Sequence, residues 1–191
     1  MMRVGTFLKE ATYALAEAPG VTSPSLEAQI LLSQAMNKPR SYILAHSEQT
    51  VPELALELLG MRLKGVPLPY ILGYREFYGR KFFVNPSVLI PRQETEFLIT
   101  CAIENYSKEP LRVIDLGTGS GAVGITLKKE RPDWEITLVD ISEAALEIAK
   151  KNAEFHRAKV SFVCGDGPPF ANEDFDLVVT NPPYVALTDY L

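Results

Sequence analysis

The feature that most constrains the fold is an alternation of short apolar runs and helical segments that begins at Leu111. Four runs, LRVIDL, EITLVD, KVSFVCGD and FDLVVT, follow one another, and helical stretches at 122–131 and 142–155 come after the first two. Strands buried on both faces read as continuous apolar runs, and helices between them make the crossover connections. This order predicts an α/β domain with a parallel, doubly wound sheet, of which the chain holds the first four strands.

The first third of the chain predicts a small all-α unit. Apolar residues recur at helical spacing over 4–15, and that pattern stops at Pro19-Gly20. Ser23 is a candidate N-cap of a second helix, and Pro24 suits its first position. Two further short helices are expected near 41–46 and 52–64.

An aromatic-rich segment separates the helical unit from the α/β pattern. Pro67 and Pro69 indicate a linker. The stretch GYREFYGRKFFVN carries aromatic and β-branched residues on both sides of Gly79-Arg80, which predicts a β-hairpin. A helix is expected from about 92 to 107. We therefore expect a helical domain at 1–73, a hairpin linker at 74–90 and an α/β domain at 91–191.

Composition and charge disfavour several classes of partner. The net charge is -5 over 191 residues, whereas binding to a nucleic-acid backbone needs clustered Lys and Arg, so we expect nucleic acid to be an unlikely partner. Cys101 and Cys164 lie in no CxxC pattern and near no His pair, so we expect reduced, buried thiols and no metal. No apolar run is long enough for a signal peptide or a membrane span, which favours a cytoplasmic protein.

The position of the last residue is unusual for such a sheet. Leu191 follows soon after the fourth strand, and the apolar run 177–179 would lie at an unprotected sheet edge, which natural proteins normally avoid. We therefore expect the sequence to be a fragment of a longer protein.

A glycine-rich turn at 115–124 follows the first strand of the α/β pattern. Such a turn lets the backbone approach a ligand closely. Gly119-x-Gly121-x-x-Gly124 matches the dinucleotide fingerprint, and from this loop alone NAD is a fair candidate. Asp140 ends the next strand and could bind ribose hydroxyls of either kind of cofactor.

Two features favour S-adenosylmethionine over a dinucleotide. Asp115 stands just before the first glycine, where its carboxylate can attract the cationic amino group of a methionine moiety and would repel a pyrophosphate. The spacing Gly117-x-Gly119-x-Gly121 also resembles that of class I methyltransferases. Asp166, after the third strand, is a candidate partner for an adenine amino group, although a turn-forming role explains it equally well.

The tetrad Asn181-Pro182-Pro183-Tyr184 directly follows the fourth strand. Ligands of open α/β sheets bind at the carboxyl ends of the strands, so the tetrad should face the same crevice as the glycine loop. An amide nitrogen is a poor nucleophile because its lone pair is delocalised. The Asn181 oxygen and the Pro182 carbonyl could accept its two N–H bonds and orient it, and Tyr184 could stack on it. Alone, the tetrad also reads as a proline-rich turn.

With these motifs the whole chain resembles the HemK/PrmC family of protein-(glutamine-N5) methyltransferases. The resemblance also rests on the small helical N-terminal unit and on four further segments, Pro69-Tyr70-Ile71-Leu72-Gly73, Arg75-Glu76-Phe77, Val88-Leu89-Ile90-Pro91-Arg92 and Thr95-Glu96. It implies a class I, Rossmann-like methyltransferase domain, incomplete at its C-terminus. It also implies methyl transfer from S-adenosylmethionine to the glutamine of the Gly-Gly-Gln motif of class I peptide chain release factors, which the N-terminal helices help to hold.

The resemblance and the motifs together define the candidate site. The acceptor candidates are Asn181, Pro182, Pro183 and Tyr184. The cofactor candidates are Asp115, Gly117, Thr118, Gly119, Ser120, Gly121, Asp140, Ile141, Asp166, Gly167 and Asn181.

Three other functions remain open from the sequence. A nucleic-acid amino-methyltransferase acting on adenine N6 or a guanine amine could use Asn-Pro-Pro-Tyr equally well. A non-catalytic release-factor-binding fragment would need only the helical unit. An NAD-dependent oxidoreductase would use Gly119–Gly124 but leaves the tetrad unexplained.

Overall fold

Helices make up the whole regular structure of the first of two units, Met1–Gly73. The computed structural model describes residues 1–106, 109–167 and 174–182. The helices of the first unit are α1 (Val4–Ala16), α2 (Pro24–Met36), α3 (Arg40–Ala45), α4 (Glu53–Leu63) and α5 (Leu68–Leu72). The all-α character expected for this part of the chain is confirmed.

Two details of the helical unit differ from the sequence prediction. The predicted linker around Pro67 and Pro69 is helix α5. Both prolines fit because Pro67 is the N-cap and Pro69 lies in the first turn, where the backbone N–H groups have no partner within the helix. Ser23 is indeed the N-cap of α2, but its side chain makes no capping hydrogen bond.

The core of the helical unit lies mainly among α1, α2 and α4. Its buried apolar residues are Val4, Phe7, Ala11, Leu15, Ala28, Leu31, Leu32, Ile43, Ala55 and Leu58. A buried ion pair lies beside them, in which Arg62 Nε donates to Glu27 Oε2 at 2.6 Å. The remaining Arg62 nitrogens donate to the carbonyl oxygens of Pro19 and Gly20, so this guanidinium fastens α4 to α2 and to the preceding loop.

The second unit begins with the predicted hairpin, β1 (Tyr74–Phe77) and β2 (Arg80–Phe83). The turn residues are Tyr78 and Gly79, not Gly79 and Arg80 as the sequence indicated. Both have positive φ, 49° and 66°, as a two-residue turn of type I′ requires. The side chain of Glu96 accepts a hydrogen bond from the Tyr78 N–H at 2.8 Å, which helps to hold a tyrosine in this uncommon conformation.

A four-stranded parallel sheet forms the centre of the second unit, as predicted. Its strands are β3 (Arg112–Leu116), β4 (Glu135–Asp140), β5 (Ser161–Cys164) and β6 (Leu177–Thr180), in the order β5-β4-β3-β6. A 3₁₀ turn (Gln93–Thr95) and α6 (Glu96–Asn105) precede the sheet, and α7 (Ala122–Glu130) and α8 (Glu143–His156) connect its first three strands. The order reverses at β3, whose neighbours are β4 and β6, so the crevice of a doubly wound sheet is expected at this strand's carboxyl end.

The sheet and its helices enclose the larger core. It contains Phe77 and Phe82 of the hairpin, Ile99 of α6, Ile125 of α7 and the fully buried Trp134. No helix within the described part of the chain has the length and apolar character needed to cross a membrane.

Candidate active site

A cleft of about 520 Å³ lies at the carboxyl ends of β3, β4 and β6. It brings together residues far apart in the chain, because parallel strands all end at the same edge of the sheet. The predicted site residues that line it are Asp115, Gly117, Thr118, Gly119, Ser120, Asp140, Ile141, Asp166, Asn181 and Pro182.

The glycine loop is a backbone cradle on the cleft wall. Gly117 and Gly119 have φ of 71° and 54°, a region that favours glycine, and a side chain at either position would meet no atom within 4 Å. The Gly117 N–H donates to the Val139 carbonyl at 2.9 Å, and the Gly119 N–H donates to Asp140 Oδ2 at 2.8 Å. The loop thus combines a fixed backbone with open space on its ligand side.

Asp115 is a buried carboxyl group at the head of this loop, with 3% of its surface exposed. Its Oδ2 accepts hydrogen bonds from Thr118 Oγ1 at 2.7 Å and from the Gly124 N–H at 2.9 Å. Burial raises its pKa to about 6, the two hydrogen bonds lower it, and the charge of Asp140 raises it further. A cationic ligand group in the cleft would favour the ionised form, so the site is suited to an ammonium group.

Asp140 presents a carboxylate that the backbone holds in place. One oxygen accepts the Gly119 N–H, and the other accepts the Ser142 N–H at 3.0 Å. Each carboxylate oxygen can accept a second hydrogen bond. This half-buried group on the cleft wall can therefore bind hydroxyl groups without moving.

Asn181 is half-buried just beyond β6, between the first cleft and a second one of about 540 Å³. Its Nδ2 donates to Thr95 Oγ1 at 3.3 Å, which leaves Oδ1 as the acceptor for an incoming N–H. The second cleft is otherwise lined mainly by the 3₁₀ turn and α6, with Arg92, Glu94, Phe97, Leu98 and Cys101. The residues that line both clefts are Leu89, Thr95, Thr180, Asn181 and Pro182.

Four predicted site residues are not seen on the cleft wall. Pro183 and Tyr184 lie outside the described residues. Gly121 and Gly167 are described but do not line the cleft. Gly121 is a packing position, because a Cβ there would come within 2.7 Å of Ile125 Cδ1 and 3.2 Å of Ala149 Cβ.

Sequence reasoning missed two contributions to the site. The segment after the hairpin closes one side of the cleft with Ser87, Val88, Leu89 and Pro91, and Leu89 is 55% exposed. The apolar run Val88-Leu89-Ile90, in a segment where no helix or strand is predicted, is the signal that could have revealed it. Behind the loop, the buried Asn152 interrupts the apolar face of α8, and this break in the pattern is readable in the sequence.

No group of three or more metal-ligating side chains occurs within residues 1–106, 109–167 and 174–182. Both cysteines are free thiols, but neither is buried, contrary to the sequence prediction. Cys101 is half-buried and lines the second cleft, and Cys164 is exposed at the end of β5, where its Sγ donates to the Ile141 carbonyl.

Three curated proteins illustrate what the chain is similar to. The release factor glutamine methyltransferase of Coxiella burnetii is 40% identical over 93% of this chain and 68% of its own length. That of Koribacter versatilis is 44% identical over 88% of this chain and 63% of its own. A bifunctional methyltransferase of Rickettsia bellii is 38% identical over 96% of this chain and 39% of its own. The chain thus spans 39% to 68% of the length of these relatives.

Family models and fold lead to one assignment. The parallel sheet with its switch-point cleft defines a class I methyltransferase domain, and a family model described as Methyltransferase small domain matches residues 93–190. A second model, PrmC N-terminal domain, matches residues 6–73. The chain belongs to the HemK/PrmC family of release factor glutamine methyltransferases.

A solved structure of Pyrococcus abyssi tRNA (uracil-54, C5)-methyltransferase in complex with S-adenosyl-L-homocysteine is 21% identical, with a TM-score of 0.48. The match covers 58% of this chain and 28% of that one. A similarity of this size supports no conclusion about substrate.

Proposed function

We propose that the 520 Å³ cleft binds S-adenosylmethionine. We also propose that the protein transfers the methyl group of this cofactor to the side-chain nitrogen, N5, of the glutamine in the Gly-Gly-Gln motif of a class I peptide chain release factor. The observation that carries the proposal is the position of Asn181 between two clefts, with its amide oxygen left as an acceptor. Family membership supports the choice of glutamine.

The residues of the first cleft fit this cofactor. The open space beside Gly117 and Gly119 suits close approach of a ligand to the backbone, and the Asp115 carboxylate suits its amino group. Asp140 suits the ribose hydroxyls, and the 72% exposed side chain of Ile141 offers apolar surface to a flat base. In this assignment Asp166, with the neighbouring Gly167, takes the adenine end. When bound, S-adenosylmethionine supplies a methyl group activated by a sulfonium centre.

The acceptor side needs orientation more than a strong base. Asn181 Oδ1 and the Pro182 carbonyl accept the two N–H bonds of the glutamine amide, which turns its nitrogen toward the cofactor cleft. The same two oxygens stabilise the positive charge that grows on nitrogen during transfer. The hydrogen bond from Asn181 Nδ2 to Thr95 Oγ1 supports this orientation of the Asn181 amide before the substrate arrives. Pro183 and Tyr184 are assigned to the same acceptor loop from the sequence alone.

The helical unit at 1–73 is assigned to recognition of the release factor, the segment 74–90 to a connecting hairpin, and 91–191 to the methyltransferase domain. A release factor acts in translation, so we place the protein in the cytoplasm. No metal and no nucleic acid is required by this function.

Cofactor binding is the first test. Calorimetry on the 191-residue chain should show binding of S-adenosylmethionine and none of NAD.

The second test identifies the methyl acceptor. Labelled cofactor is offered with purified release factor or with DNA. We expect the release factor to become labelled. We also expect this labelling to be lost when the glutamine of its Gly-Gly-Gln motif is replaced. Label on DNA alone would favour a nucleic-acid amino-methyltransferase, and release-factor binding with no effect of cofactor would favour a non-catalytic role.

Asn181→Ala should distinguish cofactor binding from methyl transfer. We expect its cofactor affinity to stay within about twofold of wild type, because Asn181 acts mainly on the acceptor. Methyl transfer should fall by about 100-fold or more, as for loss of a group that stabilises developing charge. The matched control is Asn105→Ala, an exposed asparagine whose side chain donates to the Cys101 carbonyl within its own helix. Near wild-type transfer by the Asn181 variant would refute the proposed acceptor geometry.

A further inference from the structure

Asn152 of α8 ties together three parts of the second unit. Its Oδ1 accepts the Phe83 N–H at 2.7 Å, and its Nδ2 donates to the Phe83 carbonyl at 2.9 Å. The same Nδ2 donates to the Ser120 carbonyl of the glycine loop at 2.8 Å. One side chain therefore joins α8, the hairpin strand β2 and the loop, which lie 69 and 32 residues away in the chain.

The chemistry of these contacts allows only one orientation of the Asn152 amide. Both Nδ2 hydrogens point at carbonyl oxygens and Oδ1 faces an N–H, whereas a flipped amide would set oxygen against two carbonyls. The residue is fully buried, so water cannot replace a lost partner. A buried polar group with all its donors used is costly to remove.

The glycine loop depends on such bonds because it has little side-chain packing of its own at Gly117 and Gly119. Consecutive backbone groups are held one by one. The Gly119 N–H is bound by Asp140, the Ser120 carbonyl by Asn152 and the Gly121 N–H by the Thr118 carbonyl. Of the three residues that hold these backbone groups, Asp140 and Thr118 line the cleft and Asn152 does not.

We propose that Asn152 is a positioning residue, which sets the shape of the glycine loop for the cofactor by holding the Ser120 carbonyl against the hairpin. The inference rests on the proposed function, since it takes the loop to bind S-adenosylmethionine. A purely structural asparagine would fasten the hairpin to α8 and leave cofactor affinity unchanged. The positioning role instead predicts a loop that loosens and binds the cofactor less tightly.

The test compares Asn152→Ala and Asn152→Leu with Ile136→Ala in the full chain. Asn152→Leu has a similar side-chain volume but no donor for the Ser120 carbonyl and no buried charge, and it serves if the alanine variant does not fold. Ile136 is the matched control, because it is buried near the amino end of β4, away from the cleft, and its truncation destabilises the same core. Each variant is first shown to be folded by circular dichroism.

Three readouts test the proposal. In the cofactor-free protein, amide hydrogen exchange over 117–124 should accelerate about tenfold or more in both Asn152 variants and not in the Ile136 variant. The dissociation constant for S-adenosylmethionine should rise by about tenfold or more, as for loss of one buried hydrogen bond. In turnover, the KM for cofactor should rise while kcat changes little, because the acceptor residues are untouched.

Three results would overturn the proposal: an unchanged dissociation constant in folded Asn152 variants, an equal increase in the Ile136 variant, or unchanged exchange in the loop. Absence of cofactor binding by the wild-type chain would count against the proposed function itself. Loop exchange, which needs no cofactor, would still show whether Asn152 holds the loop.

Discussion

At the scale of single residues, Asp115 combines a structural cost with the binding role proposed for it. Burial raises its pKa from 3.8 to about 6, so the folded protein favours the neutral form over a wider pH range than the unfolded chain does. This preference contributes to folding stability fully below about pH 4, and the contribution is lost as the pH rises through about 6. A bound ammonium group prefers the ionised form. Stability and cofactor affinity should therefore respond to pH in opposite directions around pH 6.

Asp115→Asn should uncouple these two effects. The amide oxygen can still accept from Thr118 and Gly124, so the free energy of unfolding at pH 7.5 should stay equal or rise. Affinity for S-adenosylmethionine should drop by about one to two decades, because a charged hydrogen bond is lost.

Calorimetry between pH 5.5 and 8 checks this prediction for Asp115. Wild-type affinity should fall as the pH drops below about 6, while that of the variant stays flat. Asp133→Asn, an exposed residue paired with Arg131, is the control and should behave as wild type. Wild-type affinity in the Asp115 variant would contradict the assignment of its carboxylate.

At the scale of elements, α7 packs closely on the sheet at a glycine. A Cβ at Gly124 would collide with Leu138 of β4 and come within 3.0 Å of Asp115 Oδ2. Gly60 of α4 is also a helical glycine, but a Cβ there would meet nothing within 4 Å. Alanine is the better helix former at both positions, by about 1 kcal/mol. Alanine substitutions at these two glycines therefore separate the effect of helix propensity from that of helix-to-sheet packing.

We expect opposite signs for these two substitutions. Gly124→Ala should lower the free energy of unfolding by about 1–3 kcal/mol because overpacking outweighs propensity. Gly60→Ala should raise it by about 0.5–1 kcal/mol. Urea unfolding measures both, with fluorescence of the single, fully buried Trp134 reporting on the second unit and far-ultraviolet circular dichroism on the helices. A stabilising Gly124→Ala would show that the helix can move away from β4 at little cost.

At the scale of the whole molecule, two units each have a core of their own. The helical unit holds the buried Arg62–Glu27 pair, and every residue that lines the candidate clefts belongs to the second unit. Stability of the first unit and cofactor affinity of the second are therefore expected to respond to different substitutions.

Arg62→Met should destabilise the helical unit by about 3–5 kcal/mol, because it leaves the Glu27 carboxylate buried without its partner. The carbonyl oxygens of Pro19 and Gly20 also lose a donor. Arg40→Met is the control, since Arg40 bonds Gln29 at the surface, and its effect should stay within about 0.5 kcal/mol. Circular dichroism follows unfolding. Calorimetry should give an unchanged affinity for S-adenosylmethionine. A clear loss of affinity would refute the expectation that the two units respond to different substitutions.

The sequence alone determined the order and type of most elements, because hydrophobic periodicity is local and survives in the fold. The sequence also predicted that the glycine loop, Asp140 and Asn181 lie at the same edge of the sheet, because parallel strands joined by crossovers all end on the same side. The resemblance to the family also came from the sequence alone, because the motifs that carry it are short local segments.

Only the tertiary structure decided features that depend on distant neighbours. The turn at Tyr78-Gly79 is set by strand register and by Glu96, and proline pattern alone could not distinguish α5 from a linker. The raised pKa of Asp115 follows from burial. The role proposed for Asn152 rests on contacts across 32 and 69 residues. Burial and long-range hydrogen bonds form only when the elements pack, so no local pattern specifies them.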